Sequence, residues 1–131
     1  MTANVNSGEI ARRKTHLSTY DFHRLNRACA RIYNVWGAPY LVGSVLETGH
    51  YRDVDLRVLL DDEEFDQAFP TGEHWELACL AYTAWLRHET GLPIDFQFQR
   101  RDVANERFGG KTRNALGLPG IKYAGGGDGT S

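Results

Sequence analysis

Two carboxylates placed two residues apart, where a hydrophobic strand begins, are the first chemistry this sequence offers. In "RDVDLRVLL", Asp53 and Asp55 lead into a run of branched apolar residues. A strand turns alternate side chains to opposite faces, so the two acids share one face. Like charges held side by side are costly, and a bound divalent cation is the usual compensation, because hard cations take ionised oxygen ligands. Asp95, in "PIDFQFQ", is a third acid on another alternating segment, opposite the side of Ile94, Phe96 and Phe98. If the strands are neighbours, three carboxylates converge on one or two Mg²⁺ ions, with Mn²⁺ as a substitute. Two such ions can stabilise both the attacking and the leaving oxygen in phosphoryl transfer. The plainer reading leaves Asp53 at a loop edge and pairs Asp55 with Arg52 or Arg57.

Gly43-Ser44 falls where the preceding apolar run "YLV" ends. Glycine lets a backbone come close to a phosphate, and serine and backbone N–H groups can donate to it. No lysine follows at Walker A spacing, and a strand-ending turn would use the same two residues. Arg57 lies on the acid face of its strand, either as a contact to phosphate or as an ion-pair partner of the acids. The five histidines, His16, His23, His50, His74 and His88, show no metal spacing. His50 alone sits between the Gly-Ser pair and the acids.

The elements that must position these groups follow from periodicity and punctuation. Ser18 caps a helix, with Asp21 three residues on in the manner of a capping box. Phe22, Leu25, Cys29, Ile32 and Trp36 form its apolar stripe, and Gly37-Ala38-Pro39 ends it. Tyr40 to Val45 and Val54 to Leu60 read as strands. Acidic residues from Asp61 to Glu64 start a short helix running to about Phe69. Glu73 to Glu89 is the strongest helix, with Trp75, Ala78, Tyr82, Trp85 and Leu86 on one face and Gly91 and Pro93 as stops. At helical spacing these aromatics read as core or dimer interface. Ile94 to Gln99 alternates as a strand, and Asp102 to Phe108 is a last short helix. The expectation is an α/β (α+β) domain over 17–108, with a small mixed sheet flanked by helices. A loose arm over 1–16 precedes it, and a glycine-rich, basic, partly disordered tail over 109–131 follows.

With 131 residues there is room for one ordinary domain. A net charge of -2 excludes binding to nucleic acid by bulk positive charge. No stretch reaches the roughly 18 apolar residues of a membrane span, and residues 1–8 are too polar for a signal peptide. Cys29 and Cys79 both fall in helices and outside any CxxC motif, which suits buried thiols in a reducing, cytoplasmic setting.

Gly43-Ser44, then Asp53-Val54-Asp55-Leu56, then Asp95 on its own strand resembles the polymerase-beta-like nucleotidyltransferase superfamily, closest to its minimal single-domain members. The resemblance spans about Phe22 to Gln99. It implies the nucleotidyltransferase fold and a Mg²⁺-dependent transfer of a nucleoside monophosphate from an NTP, ATP first among them, to an acceptor hydroxyl, with pyrophosphate released. It implies Gly43 and Ser44 on the triphosphate, Asp53 and Asp55 on the metals, and Asp95 as third ligand or base. The acceptor, whether RNA, protein or small molecule, is left open, and a homodimer is compatible. Val45 and Arg52 stand where minimal members often carry a basic residue and a serine, so Arg52 or Arg57 would supply the missing phosphate contact. "HYRDVD" also resembles the His-Arg-Asp-x-Asp run of antibiotic-modifying adenylyltransferases.

On this resemblance the basic residues Arg100, Arg101, Arg107, Lys111, Arg113 and Lys122 form either a flap over triphosphate or RNA, or a solvated tail. Two other readings stand beside the enzyme. One is a catalytically silent nucleotide-binding or toxin–antitoxin partner module on the same fold. The other is an interaction domain whose acids make surface ion pairs, which an Asp95 far from Asp53 and Asp55 would support.

Overall fold

The apolar stripes and alternating strands condense into one sheet with helices packed against it. The structure is a computed structural model, and it describes residues 16–46, 49, 52–108 and 114–118. In chain order the elements are α1 (Thr19–Trp36), β1 (Tyr40–Val42), a 3-10 turn (Gly43–Leu46), β2 (Val54–Leu60), α2 (Asp62–Ala68), α3 (Gly72–Thr90), β3 (Ile94–Arg100), α4 (Arg101–Phe108) and β4 (Asn114–Ala115). The sheet order is β3-β2-β1-β4. β2 and β3 run parallel, while β1 is antiparallel to both β2 and β4. No helix among the described residues is long and apolar enough to cross a membrane.

Local chemistry fixes the helix ends. The Asp21 N–H donates to Ser18 Oγ at 3.1 Å, starting α1. A complete capping box opens α2, where Asp61 accepts from the Glu64 N–H and Glu64 returns the bond. Thr71 caps α3 by accepting from the His74 N–H. Such caps each stabilise a helix by about 1 kcal/mol.

One face of the sheet is the core. Leu41, Leu56, Val58, Leu60, Ile94, Phe96 and Phe98 are buried there against Phe22, Leu25, Cys29 and Ile32 of α1 and Cys79 and Leu86 of α3. Leu56 is the Cα partner of both Leu41 and Phe96, at the centre of this layer. Full burial of such a side chain contributes about 1.5–3 kcal/mol. Burial pushes the Cys29 thiol far above its ordinary range and raises Cys79 as well, so both are inert packing groups.

β3 lies at the sheet edge, and α3 covers its open backbone with side chains. Trp75 Nε1 donates to the Phe98 carbonyl, Arg87 Nε to the Ile94 carbonyl, and Thr83 Oγ1 both donates to the Phe96 carbonyl and accepts from its N–H. Trp75, Thr83 and Arg87 come from one side of the helix, and the carbonyls they meet alternate along the strand. An edge treated this way offers little to a second strand.

Two segments differ from the sequence reading. The strand expected over Tyr40 to Val45 stops at Val42, because Gly43 takes a positive φ of 83° and the chain tightens into the 3-10 turn. At the far end, Asn114–Ala115 pairs with β1, Leu116 is fully buried, and the Leu116 N–H donates to the Pro39 carbonyl at 2.9 Å. Gly117 lies so near α1 that a Cβ there would stand 2.5 Å from the Cys29 carbonyl oxygen, and its N–H donates to Asn26 Oδ1. Thus a piece of the glycine-rich C-terminal stretch completes the sheet.

Candidate functional site

The other face of the sheet carries the chemistry. Period two puts Tyr40 and Val42 of β1, Asp55, Arg57 and Leu59 of β2, and Asp95, Gln97 and Gln99 of β3 on this side. Val42, Leu59 and Ala104 of α4 are buried yet stand apart from the main cluster. α4 packs on β2 and β3, and Arg101 donates to the Leu59 carbonyl.

Asp55 and Asp95 are direct Cα partners across the parallel β2–β3 pair. Neighbouring strands lie about 4.8 Å apart, so the two carboxylates stand side by side. The register that does this begins with Val54 opposite Ile94, both buried in the core. Asp53 is exposed one residue before β2. Burial raises the Asp55 carboxyl above the usual carboxylate range; Arg57 opposes that rise, and Asp95 and then Asp53 add to it. Asp55 therefore lies near enough to feel both other acids.

Gly43 meets the same carboxylate from β1. Val42 is the Cα partner of Asp55, and a Cβ at residue 43 would lie 2.5 Å from Asp55 Oδ2. Only glycine leaves room there, and its positive φ is one that other residues adopt with strain. The Ser44 backbone follows within the 3-10 turn, and its side chain lies outside the described residues. Gly43 and Asp55 thus come together at one end of β1 and β2.

Arg57 is built into this face. Its Nη1 donates to the Leu56 and Asp95 carbonyls, both at 2.8 Å, and its Nη2 lies 3.5 Å from Asp95 Oδ2. The ion pair expected with Asp55 is made instead with Asp95. Arg57 Nε and Gln99 Oε1 are buried and lack a hydrogen-bond partner among the described residues. Arg52 is exposed beside Asp53.

Adjacent carboxylates are oxygen donors of the kind a hard cation takes. As they stand, no three His, Cys, Asp or Glu residues among those described are gathered closely enough to hold a metal ion. Asp55 and Asp95 are the pair in place, and Asp53 is exposed just before β2.

Several other sequence candidates fall elsewhere. Arg100 is tied to Asp62 at 2.8 Å and to Asp66 at 2.6 Å, with its guanidinium over the Phe65 ring. It ends β3, five residues past Asp95 and so about 17 Å along the strand. Arg100 and Arg101 therefore hold the opposite end of the sheet and do not form a flap over the acids. Trp75 and Tyr82 pack against the core, with the Trp36 indole N–H donating to Tyr82 Oη at 2.7 Å. His50, Lys111, Arg113 and Lys122 lie outside the described residues, as does the Arg107 side chain. Gln97 and Gln99 also lie on the acid side of β3. Their position on the acid side of β3 was legible in the alternation that marked Asp95. No family model, curated protein or solved structure matches this chain.

Proposed function

We propose that the protein is a Mg²⁺-dependent nucleotidyltransferase that moves a nucleoside monophosphate from an NTP to an acceptor hydroxyl. The observation that carries this reading is the juxtaposition of Asp55 and Asp95 across β2 and β3, with Gly43 packed against the Asp55 carboxylate. A helix, a strand, a Gly-Ser turn, a second acidic strand and a third acidic strand in a mixed sheet form the order expected of a nucleotidyltransferase fold.

In this reading Gly43 and the backbone of the following turn hold the phosphates, and Ser44 donates to them. Asp55 and Asp95 hold the metal, with Asp53 completing the set. Bound there, Mg²⁺ would neutralise the phosphates and the charge that builds up as the bond to pyrophosphate breaks. Arg57, anchored to two sheet carbonyls, orients Asp95 through their ion pair. Asp95 is also the group placed to accept the acceptor's proton. Arg52, exposed beside the acids, is available to a phosphate oxygen. The acceptor class, RNA, protein or small molecule, is decided by surfaces beyond these residues. Positioning and charge neutralisation carry such catalysis.

A second reading draws on the Arg57–Asp95 ion pair: a guanidinium supplies the positive charge, and the fold binds nucleotide without turnover. Incubating the protein with Mg²⁺, each labelled NTP and candidate acceptors separates the two. The enzyme reading expects label transfer and pyrophosphate release that Asp53→Ala, Asp55→Asn and Asp95→Ala abolish. Nucleotide binding without pyrophosphate release would favour the silent module. Equal label incorporation by wild type and all three variants would overturn both roles for the acids.

A further inference from the structure

Helix α3 is apolar on both sides. Its inner face packs on the core, yet Leu77 and Leu80 on its outer face are 69 % and 60 % exposed. A surface helix of a single domain keeps its outer face polar, and an apolar outer stripe at a spacing of three and four belongs to a helix that packs on another. Here the stripe is Glu73, Leu77, Leu80, Ala81, Ala84 and His88, all exposed.

The order of residues in this stripe says what covers it. Its midpoint falls between Leu80 and Ala81. Counting outward, Leu77 stands as far from that point as Ala84, and Glu73 as far as His88. A two-fold axis through the midpoint would therefore set each large side chain against a small one and each acid against a base. In an antiparallel pair of α3 helices, Leu77 of one copy meets Ala84 of the other, and Glu73 meets His88 with Arg87 beside it. The helix dipoles also oppose favourably in that arrangement. A self-complementary patch of this kind is what an isologous dimer requires. Next to the stripe, a groove of about 320 Å³ between α1 and α3 is floored by Ile32 and Tyr82 and edged by Trp85 and by Val35, itself 71 % exposed. It extends the apolar surface beyond a single helix seam. The edge of β3 is closed by α3 side chains, so the helix face is the better route to association.

We infer that the chain forms a two-fold homodimer through antiparallel packing of α3 on α3 of a second copy. This inference is independent of the proposed catalysis, since no residue of the stripe belongs to the acid cluster. Light scattering coupled to size exclusion tests it. The wild type should show twice the 14.8 kDa chain mass. Leu80→Glu should shift it to one chain mass, with an unchanged far-ultraviolet spectrum because Leu80 makes no core contact. Ala81→Cys, beside the axis, should form a disulfide-linked dimer on mild oxidation, which the wild type does not do because Cys29 and Cys79 are buried. A wild type of one chain mass would overturn the inference. So would a dimer that withstands Leu80→Glu, or an Ala81→Cys variant that oxidises no faster than wild type.

Discussion

The two faces of the sheet are built from the same three strands and obey opposite rules. On the helix-covered face, Leu41, Leu56, Phe96 and their neighbours are buried among apolar groups with no charge among them. On the other, Asp55 stands beside Asp95, and Arg57 and Gln99 are buried with a nitrogen and an oxygen left without partners among the described residues. The first face is what folding alone selects. The second costs stability where it stands, and such costs concentrate where a protein does its chemistry. Substitution should therefore have opposite consequences on the two sides.

The largest effect belongs to activity. Asp55→Asn keeps the shape of the side chain and removes its charge, so on the proposed function nucleotidyl transfer should fall on the order of a thousandfold or more, equivalent to about 4 kcal/mol of barrier. Steady-state pyrophosphate release reads this directly, and a loss under tenfold would break the contrast between the faces. Next comes the core. Leu56→Ala removes a fully buried side chain at the centre of the apolar layer and should lower stability by about 2–5 kcal/mol in denaturant unfolding.

A smaller loss is expected at the sheet edge. Thr83→Val keeps the volume and deletes the hydroxyl that serves both the N–H and the carbonyl of Phe96. Stability should fall by about 1–3 kcal/mol, with faster amide exchange confined to β3. A change near zero would mean that the edge of β3 needs no cover.

The smallest effect has the opposite sign. Asp55 titrates above its unfolded value, so the folded state holds that proton more tightly than the unfolded chain does. Its contribution is neutral below the unfolded pKa and turns destabilising as pH rises through the raised folded one. At neutral pH and without metal, Asp55→Asn should then be at least as stable as wild type. In Asp55→Asn the part of the stability-versus-pH curve that falls across that window should flatten.

What could be read from the sequence followed from one-sided burial. Ile94, Phe96 and Phe98 alternate because one side of β3 faces oil and the other does not, and the α1 stripe recurs for the same reason. Periodicity placed Asp55 and Asp95 on the outer sides of their strands. It could not make those strands neighbours or set Asp55 opposite Asp95, because register is decided by how Val54 and Ile94 seat in the core. Gly43 was visible as a residue that could approach a phosphate. Its approach to the Asp55 carboxylate, which ends β1 early, was not. β4 has two residues, too few for any pattern, and it is held by backbone bonds and by the bare Cα of Gly117 against α1. The row of Trp75, Thr83 and Arg87 looked like helix surface and core because side-chain bonds to a strand's backbone leave no periodic trace.

The central claim is that the strained pair, Asp55 and Asp95, is a cation site. Thermal unfolding of wild type, Asp55→Asn and Asp95→Asn, each with and without Mg²⁺ and a non-hydrolysable NTP analogue, tests it most directly. A ligand that binds only the folded state raises stability by about 2.7 kcal/mol at a hundred times its Kd. The account predicts that wild type gains several degrees with Mg²⁺ and nucleotide, while both variants gain nothing. Wild type unmoved by Mg²⁺ and nucleotide, or variants that shift as much as wild type, would contradict it.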